Sequence, residues 1–149
     1  MKLTNFTKIK GNRFGCQISV KWDDEWGVVW VRNVLIVDDQ QGIRLLLEEV
    51  FKKEGYGTKS AANGGEALQQ VKNEQPDCIL LDMKMPGMDG IDVLRQLKKE
   101  WPEIPVIMMT AYEELKLVEH ALEIGAEKYF TKPFDIFEVR DAVNLLLAS

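Results

Sequence analysis

The fold this sequence predicts is a doubly wound α/β sandwich, and three observations point to it. From Asn33 onward, short apolar runs alternate with longer segments of helical period, the signature of βαβ units around a parallel sheet. Stop signals close the helical segments, with Gly55 and Gly125 placed as helix ends. A length of 149 residues with 46% hydrophobic composition suits one domain with an ordinary core.

Taken in order, the strands fall near 33–38, 57–61, 77–82, 104–109 and 127–130. Between them lie helices near 41–54, 64–74, 90–100 and 113–123, with a last one over 135–148. In the first helix Ile43, Leu46, Leu47, Val50 and Phe51 recur at helical spacing, as do Val118, Ala121 and Leu122 in the fourth. Asp135 reads as the N-cap of the last helix, three residues before Glu138. Crossovers between parallel strands are right-handed, so the helices cover both faces of the sheet.

The strand ends carry the chemistry. Asn33–Val37 ends in Asp38-Asp39, the run through Leu81 ends in Asp82, Met108-Met109 leads to Thr110-Ala111, and Tyr129-Phe130 leads to Thr131-Lys132-Pro133-Phe134. The C-terminal edge of an open parallel sheet is where ligands bind. Three carboxylates gathered there repel one another unless a cation joins them, and hard oxygen donors suit Mg²⁺. A carboxylate beside a metal, facing a hydroxyl and an ammonium, is equipped to accept a phosphoryl group. Asp82 is the candidate acceptor. Asp39 is the expected direct cation ligand, Asp38 acts through water and by orienting its neighbour, and a peptide carbonyl at Met83 or Lys84 is a natural further oxygen.

Each of these residues has a plainer reading. Adjacent acids are usually a solvated strand end, threonine commonly ends a strand, and a lysine is usually solvated. What favours function is the coincidence of all of them at one sheet edge. For His120, the single histidine, the plainer reading wins: it sits mid-helix, far from the strand ends. No GxGxxG occurs, so a dinucleotide site lacks support.

Asp38-Asp39, Asp82, Thr110 and Lys132-Pro133, in that order and spacing, resemble the response-regulator receiver domain, over nearly four-fifths of the chain. The surrounding wording, including Leu81-Asp82-Met83-Lys84-Met85-Pro86-Gly87-Met88-Asp89-Gly90 and Lys132-Pro133-Phe134-Asp135-Ile136, is similar to single-domain receivers of sporulation phosphorelays. The resemblance implies a flavodoxin-like (βα)5 fold with a five-stranded parallel sheet of order 2-1-3-4-5. It assigns the Lys84 carbonyl to the cation, Thr110 and Lys132 to the phosphoryl group, and a typically cis bond to Lys132-Pro133. Tyr129 takes the switch-aromatic position alongside Thr110. Mg²⁺ is the implied cofactor, with Mn²⁺ or Ca²⁺ able to substitute.

Partner recognition is expected on the loops and first helix around the acceptor. Gln40, Gly42, Ile43 and Leu46 form one side of that rim, and Lys84, Tyr112, Pro133 and Phe134 complete it. The expected partners are a sensor histidine kinase as donor, a histidine phosphotransferase as acceptor and an aspartyl-phosphate phosphatase. Because the sequence closes soon after the fifth helix, relay to another protein is the expected output rather than DNA binding. Two alternatives stand beside this reading. A chemotaxis-type stand-alone receiver would act by phosphorylation-dependent binding. A haloacid-dehalogenase-like phosphatase would want a second Asp two residues after the nucleophile, where this chain has Lys84. The protein is expected to be a signalling phospho-acceptor rather than an enzyme, and a monomer.

Composition narrows the classes further. The net charge of −5 argues against nonspecific nucleic-acid binding. No apolar stretch approaches the roughly 18 residues of a membrane span, and residues 1–15 have no apolar core of a secretory signal. The two cysteines, Cys16 and Cys78, form no metal-spaced set, which fits a reducing cytoplasm.

Residues 1–32 break the pattern. They hold three of the four tryptophans, and six Lys and Arg against three acids give +3, leaving −8 for residues 33–149. The expectation is a receiver over 33–149 preceded by an upstream reading-frame extension or an added expression segment. A small β-like arm, with Val28-Val29-Trp30-Val31 as a strand, is the alternative.

Overall fold

The computed structural model describes residues 3–8, 16–22, 25–111 and 116–148. Five strands form one parallel sheet: β4 (Asn33–Val37), β5 (Gly57–Ala61), β6 (Cys78–Asp82), β7 (Val106–Ala111) and β8 (Lys128–Lys132). Their spatial order is β5-β4-β6-β7-β8, which is 2-1-3-4-5 counted within this sheet. Helices α1 (Gln41–Lys53), α2 (Gly64–Asn73), α3 (Gly90–Glu100), α4 (Val118–Ile124) and α5 (Ile136–Leu147) connect or follow the strands.

Alternate strand residues feed two cores, because successive side chains point to opposite faces. Val34, Ile36, Cys78, Leu80, Ile107 and Met109 pack with Leu47 and Phe51 of α1 and Val139 and Val143 of α5. Leu35, Val37, Ile79, Leu81, Val106 and Met108 pack with α2, α3 and α4 through Ala67, Val71, Leu94, Leu97 and Ala121. Both faces are covered, and the inner strands β4, β6 and β7 read as apolar runs for that reason, while the edge strands β5 and β8 are more polar. Cys78 is fully buried, and desolvation pushes its thiol up to about 12, so it behaves as a small apolar residue.

The helix ends follow local chemistry. Gly55 and Gly125 adopt φ of +92° and +131°, a region glycine enters without steric cost. Asp135 caps α5 by accepting from the Phe137 N–H at 2.8 Å. Two strand boundaries differ from expectation. β7 starts at Val106 and runs through Ala111, and β8 runs through Lys132, because the two strands remain paired up to Ala111 opposite Lys132. Thr110 and Lys132 are therefore held inside the ladder rather than beyond it. The fourth helix begins at Val118, after a 3₁₀ turn at Lys116–Leu117, and residues 112–115 lie outside the described residues.

Ahead of this sheet, β1 (Leu3–Lys8), β2 (Cys16–Trp22) and β3 (Glu25–Val31) make a separate antiparallel sheet of order β1-β2-β3. The segment 28–31, a strand in the alternative reading, falls within β3, which pairs antiparallel with β2. Among the described residues, no helix is long and apolar enough to cross a membrane.

Candidate functional site

β4 delivers Asp38 to the C-terminal edge of the sheet, fully buried and held around its periphery. Its N–H donates to the Ala61 carbonyl at 3.1 Å. Its carboxylate accepts from the Gln40 N–H at 2.8 Å and from Lys132 Nζ at 2.8 Å. Asp39, one residue on, is exposed. The neighbouring strand β6 ends at Asp82, which is 4% exposed. One oxygen from each of Asp38, Asp39 and Asp82 can be chosen so that all three lie within 4.8 Å of one another.

The loop after Asp82 is pinned at several points. The Met83 N–H donates to the Met109 carbonyl at 2.8 Å, so the chain stays against β7 for one more residue. Met83 and Met85 are buried at 2% and 4%, while Lys84 between them is exposed. The Gly90 N–H donates to the Met83 carbonyl at 2.9 Å. A Cβ on Gly90 would overlap the Asp82 carbonyl and come within 2.8 Å of Met83 Cα. The start of α3 thus abuts the backbone of the candidate acceptor, and only glycine leaves room.

Lys132 enters from β8 with its Nζ 2.8 Å from Asp38 Oδ2 and 3.4 Å from Asp82 Oδ1. The expectation from sequence aims this ammonium at Asp82; its shorter contact is with Asp38. The Lys132–Pro133 peptide bond is cis. Thr110 is fully buried, and its hydroxyl donates to the Ala111 carbonyl at 3.1 Å. An open cleft of about 430 Å³ is lined among others by Asp39, Gln40, Asp82, Lys84, Ala111 and Lys132.

Burial raises the pKa of Asp82 to about 7, and the Asp38 charge adds to that. The Lys132 charge, its hydrogen bond and the Lys84 N–H oppose the rise without cancelling it. For Lys132, burial works against the ammonium, but the Asp38 hydrogen bond and the charges of Asp82 and Asp38 hold its pKa above the ordinary lysine value. The cluster is therefore two buried acids sharing one cation, with a third acid at the solvent edge.

Of the expected partner rim, Gln40, Gly42, Leu46, Lys84 and Pro133 are exposed or partly so. Ile43 and Phe134 are partly buried against the α1–α5 core. Tyr112 lies outside the described residues. Tyr129 is 40% exposed on β8, in register with Met108. His120 sits on α4 against the Arg95 guanidinium, away from the cleft. Two contributors carry little signal in the sequence: Gly90, which reads only as part of a turn, and Arg44, whose Nη1 donates to the Asp38 carbonyl at 2.7 Å.

The parallel sheet thus gathers three acids and a lysine at its carboxyl edge. The family model described as the response regulator receiver domain matches residues 34–144, and the chain belongs to that family. Over 115 residues it is 58% identical to the Sporulation initiation phosphotransferase F of Bacillus subtilis (strain 168), covering 77% of this chain and 93% of that protein. It is 39% identical to the Regulatory protein AtoC of Escherichia coli (strain K12) over 78% of this chain, but spans only 24% of that longer protein. Among solved structures, the CheY-like receiver domain protein of Methanospirillum hungatei JF-1 superposes with a TM-score of 0.75 at 32% identity, covering 78% of this chain and 94% of that one. The receiver domain of NtrX from Brucella abortus gives 0.74 at 29% identity, over 78% and 98%.

Proposed function

We propose that this chain is a phosphorelay intermediate that accepts a phosphoryl group on Asp82 from a histidine kinase and passes it to a histidine phosphotransferase, in the control of sporulation. The observation that carries the acceptor assignment is the placement of Asp82 within 3.4 Å of the Lys132 ammonium, clustered with Asp38 and Asp39 at the end of β4. The relay output is supported by the 58% identity to a sporulation phosphotransferase that the chain covers over 93% of its length.

The donor set fits Mg²⁺. Three carboxylates offer hard oxygens within 4.8 Å, and Asp39 faces solvent, where a cation keeps its remaining waters. Asp39, Asp82 and the Lys84 carbonyl would hold the ion, with Asp38 behind them. When bound, Mg²⁺ supplies positive charge that offsets the phosphoryl oxygens.

The chain's own residues do the rest. An ionised Asp82 oxygen attacks the phosphorus of a phosphohistidine in line with the P–N bond. That bond breaks with its electron pair staying on the imidazole nitrogen, which is then free to take up a proton. Lys132 moves its ammonium from Asp38 toward the new phosphoryl oxygens. Thr110 exchanges its bond to the Ala111 carbonyl for one to the phosphoryl group. Tyr129, exposed further back along β8, reports that change to the surface. The reverse reaction on a second histidine discharges the site. Gln40, Gly42, Ile43, Leu46, Lys84, Tyr112, Pro133 and Phe134 form the docking rim for the kinase, the phosphotransferase and an aspartyl-phosphate phosphatase.

Radiolabelled phosphate followed from a sensor kinase through this protein tests the relay. Label should leave Asp82 for a histidine-containing phosphotransferase within the time of the assay. Label that stays on this chain while it gains affinity for some other target would favour a stand-alone binding receiver instead.

A further inference from the structure

We propose that Arg44 is a positioning residue for the cation site, acting on Asp39 through the main chain. The inference rests on the reading of Asp38, Asp39 and Asp82 as the cation's carboxylates and adds a residue outside the cleft lining.

Asp38 is gripped at every polar atom. Its N–H is held by Ala61, one carboxylate oxygen by the Gln40 N–H and the other by Lys132. The fourth group, its carbonyl, accepts from Arg44 Nη1 at 2.7 Å. That oxygen belongs to the Asp38–Asp39 peptide, which is a rigid plane. Holding it sets the direction in which Asp39 leaves the strand. Asp39 needs such help, since no described residue donates a hydrogen bond to its carboxylate and the residue is exposed.

Arg44 is itself well anchored. Its N–H closes the first turn of α1 on the Gln40 carbonyl at 3.2 Å. From there the side chain runs back toward the helix N-terminus, the direction helical side chains favour, and it is half-buried. Charge alone would make a guanidinium beside three carboxylates an opponent of a dication. A residue that only neutralised the acids would therefore weaken Mg²⁺ binding, and its loss would tighten it. A residue that positions Asp39 gives the opposite sign.

Calorimetric titration of the full-length protein with MgCl₂ reads that sign without any phosphoryl transfer. Arg44→Met should raise the Mg²⁺ dissociation constant roughly tenfold, the scale set by outer residues that orient metal ligands. Arg44→Lys, which keeps a donor and a charge on a shorter stem, should fall between it and wild type. With phosphoramidate as a small donor, the Mg²⁺ concentration giving half-maximal labelling should rise in parallel, while the rate at saturating Mg²⁺ stays within about twofold of wild type. Should Arg44→Met fail to fold, a weakened constant for Arg44→Lys still supports the assignment. An unchanged or tighter constant in the folded variants overturns it. No Mg²⁺ binding by wild type would be a different result: the cation reading itself would fall, and this inference with it.

Discussion

Lys132 lies closer to Asp38 than to Asp82, 2.8 Å against 3.4 Å. One ammonium thus serves two buried acids, and the one it neutralises less directly is the candidate acceptor. Burial first and then the Asp38 charge raise the Asp82 pKa to about 7, and Lys132 only partly opposes them.

Without metal, the protein should lose stability as pH rises from about 5 to 8. In that window folded Asp82 keeps a proton that its unfolded counterpart, titrating near 4, has released, so rising pH favours the unfolded state until folded Asp82 has titrated too, near 7. A tenfold difference in proton affinity between the two states corresponds to about 1.4 kcal/mol. The open cleft screens part of the effect, so a loss of about 1–2 kcal/mol is expected from this group. Urea unfolding in EDTA at both pH values measures it. Asp82→Asn should flatten the difference by that amount, and saturating Mg²⁺ should remove it in wild type. A pH response that Asp82→Asn leaves unaltered would place the strain elsewhere.

Gly90→Ala should destabilise the fold by about 2–3 kcal/mol, since its methyl has only the Asp82 and Met83 backbone to displace. Mg²⁺ affinity should fall as well, because the acceptor's own carbonyl is what the methyl pushes on. A neutral effect in chemical denaturation would mean that α3 shifts freely against the loop.

Leu46→Ala should slow labelling by a sensor kinase severalfold while costing less than about 0.5 kcal/mol, since Leu46 is 48% exposed. Ile43→Ala should do both, losing about 1 kcal/mol of core packing as well as docking contact. Normal labelling by both variants would leave Ile43 and Leu46 as ordinary helix residues.

Lys84→Asn should speed decay of the phosphorylated protein severalfold, measured without partner or phosphatase. Lys84 is exposed at the cleft wall, and a shorter amide there both opens the approach to Asp82 and can orient a water. An unchanged half-life would restrict Lys84 to docking.

Much of this site is legible along the chain because each group closes its own apolar run. Asp38, Asp39 and Asp82 sit at strand ends that hydrophobicity alone delimits. Thr110 and Lys132 are blurred for the complementary reason: β7 and β8 run past Met109 and Phe130 through cross-strand pairing, which local propensity does not report. Gly90 carries no local signal, since its constraint is the backbone of a residue eight positions away. Arg44 reads as a polar residue on an amphipathic helix, and only the fold turns it toward the Asp38 carbonyl. β2 does alternate, with Cys16, Ile18, Val20 and Trp22 against Gln17, Ser19 and Lys21, a strand signal that the expectation for residues 1–32 leaves unused, whereas β1 has no such pattern. We propose that residues 1–32 lie outside the receiver unit; their removal should leave Mg²⁺ affinity and labelling within about twofold of the full chain.

The central claim is that Asp82 carries the phosphoryl group, and chemical mapping of the label tests it most directly. Borohydride reduction of the phosphorylated protein turns an aspartyl phosphate into homoserine, which peptide mass spectrometry then locates. Homoserine at position 82, absent from Asp82→Asn and from protein labelled in excess EDTA, is the expected result. Homoserine at position 38 or 39, or an acid-labile, reduction-resistant phosphate on His120, would contradict the account.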